Sequence, residues 1–205
     1  MSGQIRFERV QARSTHCSNQ PSGTLSDVNV WLAGADQDVV IIDPAGDPAA
    51  IIGAVGDRWV TAVICTHGHR SHIGAAMEVG TVTCAPVLIH PADHSVWDKI
   101  HGPSRYWRLD DGQRIAVAGV EIRVLHTPSP TPGSISLHIA SEAAVFSGDT
   151  LPHPGQPHPN GYRSGCETGS WMGLPRHTRI YPGHGDPYIL EDVYSQDGRL
   201  VHHVA

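Results

Sequence analysis

Residues 59–65 read Trp-Val-Thr-Ala-Val-Ile-Cys, a nearly unbroken apolar run, and three imidazoles follow within six residues, at His67, His69 and His72. An apolar run of this length bounded by polar turn residues is the pattern of a strand buried on both faces. The chain must therefore cover both sides of a sheet, which calls for a layered α/β arrangement rather than an open sheet. The imidazoles fall just past the carboxyl end of that strand, where loops of layered α/β proteins gather their ligands. Residues two apart in an extended segment point the same way, so His67 and His69 share one side. His72 opens a helix-like stretch and can turn back toward them. Histidine is the commonest metal ligand and titrates near neutral pH.

The rest of the pattern fits that frame. Alternation and β-branched content predict strands over 5–10, 27–32 and 39–42, then 86–89, 113–118, 121–125, 134–139, 143–146 and 178–181. Asp47-Pro48 predicts a helix start, with Asp as N-cap and Pro in the first turn, running through Val55. Further helical stretches are expected over 73–79 and 91–100, and a Pro/Gly-rich segment over 151–173. The chain has 205 residues, enough for one domain with its own core. No apolar run approaches the roughly 20 residues of a membrane helix. The first ten residues lack an apolar signal core, so a cytoplasmic protein is expected, with its four cysteines reduced. A net charge of −6 without a basic block argues against nucleic acid and leaves a small molecule as the expected partner.

Two shorter pieces add an acid and a fourth imidazole. Val145-Phe146-Ser147-Gly148-Asp149-Thr150 and Ile180-Tyr181-Pro182-Gly183-His184-Gly185 each end a strand-like run with a glycine just before the functional group. Together with Val40-Ile41-Ile42-Asp43-Pro44 and His126-Thr127-Pro128, then Thr131-Pro132-Gly133-Ser134, these pieces occur in an order that resembles the metallo-β-lactamase superfamily. Within it the likeness is to small glyoxalase II-like hydrolases, over roughly residues 29–184. The resemblance implies an α/β fold, a four-layer αββα sandwich with two mixed sheets face to face and helices outside, as a single domain over 1–205. It also implies one or two metal ions at the sheet edges. His67 and His69 would hold the first, His72 and His184 the second, and Asp149, counted as the catalytic residue, would bridge them. Tyr162, Arg163 and Trp171 lie where family members shape the substrate mouth. Asp43 is expected to organise loops by hydrogen bonds, His126 to be structural, and His90, His94 and His101 to lie on the surface. Cys65 is expected in the core, and Cys166 as the better candidate for an accessible thiol.

Two family ligands are missing. Where the family reads His-x-His-x-Asp-His, this chain has Ser71 in place of the Asp, and Pro130 stands where a Thr-Pro-Gly-His-Thr segment supplies a histidine. Proline has no donor, and a neutral hydroxyl binds zinc far less well than a carboxylate. Each half-site keeps two histidines and a shared Asp, a set also known for ferrous iron. Three outcomes stay open. One ion, zinc or iron, is held by three groups; or His153 or His158 supplies a replacement; or the site is empty. The function expected first is a metal-dependent hydrolase of a thioester or related acyl bond, which zinc favours. Iron favours a mononuclear iron lyase or oxygenase, and an empty site favours a non-hydrolytic binding or accessory protein of a biosynthetic pathway.

Overall fold

The computed structural model describes residues 4–14, 26–151 and 173–193. The N-terminal half forms a sheet of six strands: β1 (Arg6–Ser14), β2 (Ser26–Gly34), β3 (Asp38–Ile42), β4 (Trp59–Ile64), β5 (Val87–Ile89) and β6 (Trp107–Arg108), in that spatial order. The β1–β2–β3 ladders are antiparallel and those from β3 to β6 parallel. The C-terminal half forms a second sheet, ordered β12 (Tyr188–Ile189), β11 (Arg179–Pro182), β10 (Ala144–Gly148), β9 (Ile135–Ile139), β8 (Val120–His126), β7 (Arg114–Val117). Only its β10–β11 pair is parallel, so both sheets are mixed.

The strands bury apolar side chains on both faces. Along β3, Val40 and Ile42 enter the core between the sheets, while Val39 and Ile41 face the helices. The β3–β4 register skips Thr61, since Val39 pairs with Val60 and Val40 with Ala62. One extra residue on β4 shifts its side-chain parity. Val60 and Val63 accordingly join the helix-side core, and Ala62 and Ile64 the inter-sheet core. Across from them, Ile122, Val124, Ile135, Leu137 and Phe146 complete the layer between the sheets. This sandwich is the architecture expected from the sequence.

Helices cover the outer face of the first sheet. α1 (Pro48–Val55) begins as expected, with the Asp47 carboxylate accepting from the Ala49 amide at 2.9 Å. The stretch expected over 73–79 is instead two helices, α2 (Arg70–Ile73) and α3 (Ala76–Thr83). The break is made by a partner distant in sequence: the Ala75 amide donates to Pro44 O at 3.0 Å instead of continuing the α2 ladder. The stretch expected over 91–100 is a 3-10 turn at Pro91–Asp93 followed by α4 (His94–His101), whose Trp97 is fully buried. The outer face of the second sheet packs Val145 and Ile180 against Leu151, Leu190 and Val193. Among the described residues no helix is long and apolar enough to cross a membrane.

Candidate metal centre

Four strand ends deliver the site. β4 runs into Thr66–His72, β3 into Asp43, β10 into Asp149 and β11 into His184, all at one rim of the sandwich. Two close approaches require glycine there. Gly148 has φ of +51°, and a Cβ on it would collide with Thr66 Oγ1. A Cβ on Gly183 would stand 2.6 Å from His72 Cε1. The glycines read as sharp exits thus also let the three loops close on one another. On the far side β2 clamps the His184 turn. Asn29 donates its amide to Gly183 O at 2.8 Å, and its side-chain nitrogen to Pro182 O at 3.0 Å and Gly185 O at 2.7 Å. Trp31 Nε1 adds a bond to Pro182 O at 2.9 Å.

His67, His69, His72, Asp149 and His184 converge. His67 Nε2 lies 3.1 Å from His69 Nδ1 and 3.7 Å from Asp149 Oδ2. His72 Nε2 lies 3.3 Å from both His184 Nε2 and Asp149 Oδ2, and His184 Nε2 is 3.6 Å from the same oxygen. Two triads result, His67–His69–Asp149 and His72–Asp149–His184, each compact enough to grip one ion. The donor chemistry fits a first-row divalent metal. Two imidazoles and a carboxylate are the protein ligands of many catalytic zinc sites, and bonds of about 2.0–2.1 Å place neighbouring tetrahedral ligands about 3.3 Å apart.

Outer hydrogen bonds fix the rings of His67, His72 and His184. A carboxylate can only accept, so His72 Nδ1 carries the proton it gives Asp43 Oδ2 at 3.0 Å. His184 Nδ1 donates to Asp27 O at 2.6 Å. Thr66 gives its backbone N–H and its hydroxyl proton to Asp43, each at 2.7 Å. Its Oγ1 is then left to accept from His67 Nδ1 at 3.1 Å. In each ring Nε2 is turned into the site. Asp43 has φ of +54°, a left-handed conformation, and its buried carboxylate accepts from both Thr66 and His72. This is the organising role expected of it.

Charge is divided unevenly over the cluster. Burial pushes His67 well below the usual histidine range and lowers His69. Burial also opposes a charge on His72, but Asp149 and Asp43 outweigh it and raise that imidazole to about 10. For Asp149, burial would raise the carboxyl, yet the surrounding His72, His67 and His184 hold it well below the usual carboxylate range. In the metal-free chain one proton on His72 therefore stands where cationic charge is most favoured.

The departures also have places. Ser71 is buried in α2 beside His72, and Pro130 sits in the loop between β8 and β9. That loop is shaped by a residue the sequence reading missed. Fully buried Asp93 accepts from Gly68 N at 2.7 Å, Thr131 Oγ1 at 2.6 Å and Gly133 N at 2.8 Å. Its sequence signal was an acid beside a helix start after His90-Pro91, indistinguishable from an ordinary cap. Among the remaining histidines, His126 is structural as expected, with Nε2 2.9 Å from Pro132 O. His90 and His101 are not simply surface residues. His90 stacks on His126 with ring centroids 4.3 Å apart, and His101 packs on Trp97 and binds Ile73 O at 2.8 Å. His94 is exposed and Cys65 is in the core, as expected. Tyr162, Arg163, Trp171, His153, His158 and Cys166 lie outside the described residues.

Comparison with known proteins agrees with this geometry. Residues 23–184 match the family profile described as the metallo-beta-lactamase superfamily. A hydroxyacylglutathione hydrolase of Pseudomonas aeruginosa is 29% identical over 178 residues, covering 78% of this chain and 62% of that protein. The chain spans about three fifths of the length of the first curated relatives it matches. Among solved structures, TTHA1623 in a di-iron-bound form superposes with a TM-score of 0.68 at 25% identity, over 87% of this chain and 94% of that one. A metallo-beta-lactamase from Pontibacter korlensis gives a TM-score of 0.73 at 13% identity, over 92% and 94%, a likeness of fold alone.

Proposed function

The chain belongs to the metallo-beta-lactamase superfamily, and on that premise we propose that it is a metal-dependent hydrolase cleaving a thioester or related acyl bond of a small substrate with a single bound ion. The observation that carries this reading is the pair of two-His-one-Asp triads that share Asp149, each with its ligand atoms within 4.8 Å of one another. Support for an acyl substrate comes from the likeness to a hydroxyacylglutathione hydrolase. A divalent ion held there supplies a nucleophile from water near neutral pH and polarises the acyl carbonyl. The chain's own groups do the rest. Asp149 and the imidazoles hold the ion, with Asp149 placed between the two triads. Asp43 keeps His72 in one tautomer and orientation. Asn29 and Trp31 fix the turn that carries His184. The acidic net charge disfavours nucleic acid and leaves a small molecule as the partner. Zinc suits this donor set, and so does iron, which two histidines and one carboxylate also bind.

Ser71 and Pro130 limit the activity, and they give the test. Protein purified without chelator is assayed with a generic thioester under added zinc and, separately, ferrous iron. The native chain shows modest metal-dependent thioester hydrolysis and little or no β-lactam hydrolysis. The double variant Ser71→Asp, Pro130→His raises metal content and hydrolysis together, because more ligands hold the ion that activates water. A variant that holds two ions and hydrolyses no better refutes the reading. A native chain that binds no metal favours a non-hydrolytic binding protein on the same scaffold.

A further inference from the structure

Two histidines outside the metal centre join the sheets. His90 follows the last residue of β5 in the first sheet, and His126 ends β8 in the second. Their half-buried rings stack with centroids 4.3 Å apart and planes 10° from parallel. Hydrogen bonds fix the orientation of each ring. The Ala92 amide donates to His90 Nδ1 at 3.3 Å, so this nitrogen must offer a lone pair and the ring is held uncharged, with its proton on Nε2. A carbonyl only accepts, so His126 Nε2 carries the proton it gives Pro132 O at 2.9 Å.

Both rings are fastened to the 127–134 loop. His126 reaches it directly at Pro132. His90 reaches it through the 3-10 turn that it caps. Its carbonyl accepts from Asp93 N at 3.1 Å while its ring accepts from Ala92 N. Asp93, at the end of that turn, receives Thr131 Oγ1 and Gly133 N, together with Gly68 N from between His67 and His69. Space is tight there, since a Cβ on Gly133 would stand 2.6 Å from Asp93 Cγ. The loop in turn borders the metal centre: Ile135 N donates to Thr66 O at 2.8 Å, and Thr150 Oγ1 to Ser129 O at 2.9 Å.

A proton added to His90 acts against this arrangement. Nδ1 becomes a donor facing the Ala92 N–H, and the cap is lost. The cation stands at the N-terminal end of the helical run that continues into α4, where positive charge is disfavoured. It also lies flat against a second imidazole. Burial, then His126 and Arg108, hold His90 below the usual histidine range, while Asp110 and Asp93 pull the other way. Asp111 meets the pair at the His126 backbone amide, 2.8 Å away. We propose that the His90–His126 stack is a proton-sensitive clasp: a proton taken up by His90 releases the cap of the 91–93 turn and loosens the 127–134 loop and Gly68 beside the metal centre. The clasp belongs to the scaffold and does not depend on the hydrolase reading.

The test follows the full chain, free of metal, by NMR from about pH 7.5 to about 5, the range around the ordinary histidine value. At the upper end the His90 ring is protonated on Nε2 and bare on Nδ1. On acidification the amides of Gly68, Ala92, Thr131 and Gly133 shift together with the His90 ring, at a midpoint below the ordinary 6.5. Hydrogen exchange at Gly133, corrected for its intrinsic pH dependence, quickens about two- to tenfold through the same midpoint, the worth of one hydrogen bond. His90→Asn keeps a good capping acceptor that does not titrate, so its four amides no longer respond. The native titration stands without the variant, whose fold is checked by circular dichroism. A His90 ring protonated on Nδ1 at neutral pH overturns the clasp. So do amides at Gly68, Thr131 and Gly133 that ignore the His90 midpoint, or a response that persists in His90→Asn.

Discussion

Two loops leave strand ends at the same rim and meet different fates. The Thr66–His72 loop keeps its three imidazoles, with the far nitrogens of His67 and His72 held by a hydroxyl and a carboxylate. The 127–134 loop keeps an equally dense set of bonds but has lost its donor. Thr127 N binds Ser134 O at 2.9 Å, the Thr150 hydroxyl donates to Ser129 O at 2.9 Å, and Thr131 and Gly133 are fastened to Asp93. None of these contacts involves the side chain at position 130. The bonds that shape a ligand loop are therefore separable from the donor it presents. Replacing a ligand by proline can empty a coordination position while the scaffold persists.

The comparison can be broken most directly at Asp93, which belongs to shape and not to metal. Asp93→Ala strands three buried donors and is expected to lower stability by about 3–5 kcal/mol, measured by urea denaturation of the metal-free protein. Its effect on zinc affinity in the folded fraction should be smaller than that of changes behind His72. A variant that folds with native stability would show that the 127–134 loop holds its shape without this carboxylate.

Asp43→Asn sharpens the other side. The substitution preserves size but removes the charge behind His72, and zinc affinity is expected to fall about 10–100-fold. An unchanged affinity, read by chelator competition, would separate Asp43 from metal binding.

The smallest step per unit of change is the pH dependence of the metal-free chain. His72 is raised from the usual histidine value of 6.5 to about 10. Below pH 6.5 both folded and unfolded chains hold this proton, and its stabilising contribution is complete. Between 6.5 and about 10 only the folded chain holds it, so stability falls with rising pH by at most about 1.4 kcal/mol per unit for one proton. Zinc displaces that proton, so the loaded protein should show a flatter profile across the same window. A metal-free chain whose denaturation midpoint does not fall between pH 7 and 10 would contradict the placement of charge on His72.

Much of this arrangement could be read from the sequence because it was carried by local chemistry. The apolar run before His67 announced a doubly covered strand, Asp47-Pro48 announced a helix start, and the glycines before Asp149 and His184 announced sharp exits. Other features depended on distant partners. The break between α2 and α3 is made by the Pro44 carbonyl, which no pattern over 70–83 reveals. Asp93 reads as a cap until the fold brings Gly68 and Gly133 to it. β6 and β12 have two residues each, too few to show alternation, and exist because neighbouring strands offer them hydrogen bonds. Asn29 looks like an ordinary strand residue until the His184 turn folds against it.

The central claim is that this scaffold retains one working metal position out of two. Native mass spectrometry of the intact chain, loaded with excess zinc and then dialysed extensively, counts the ions directly. The account predicts a single species with one ion per chain. Two retained ions, or none, would contradict it.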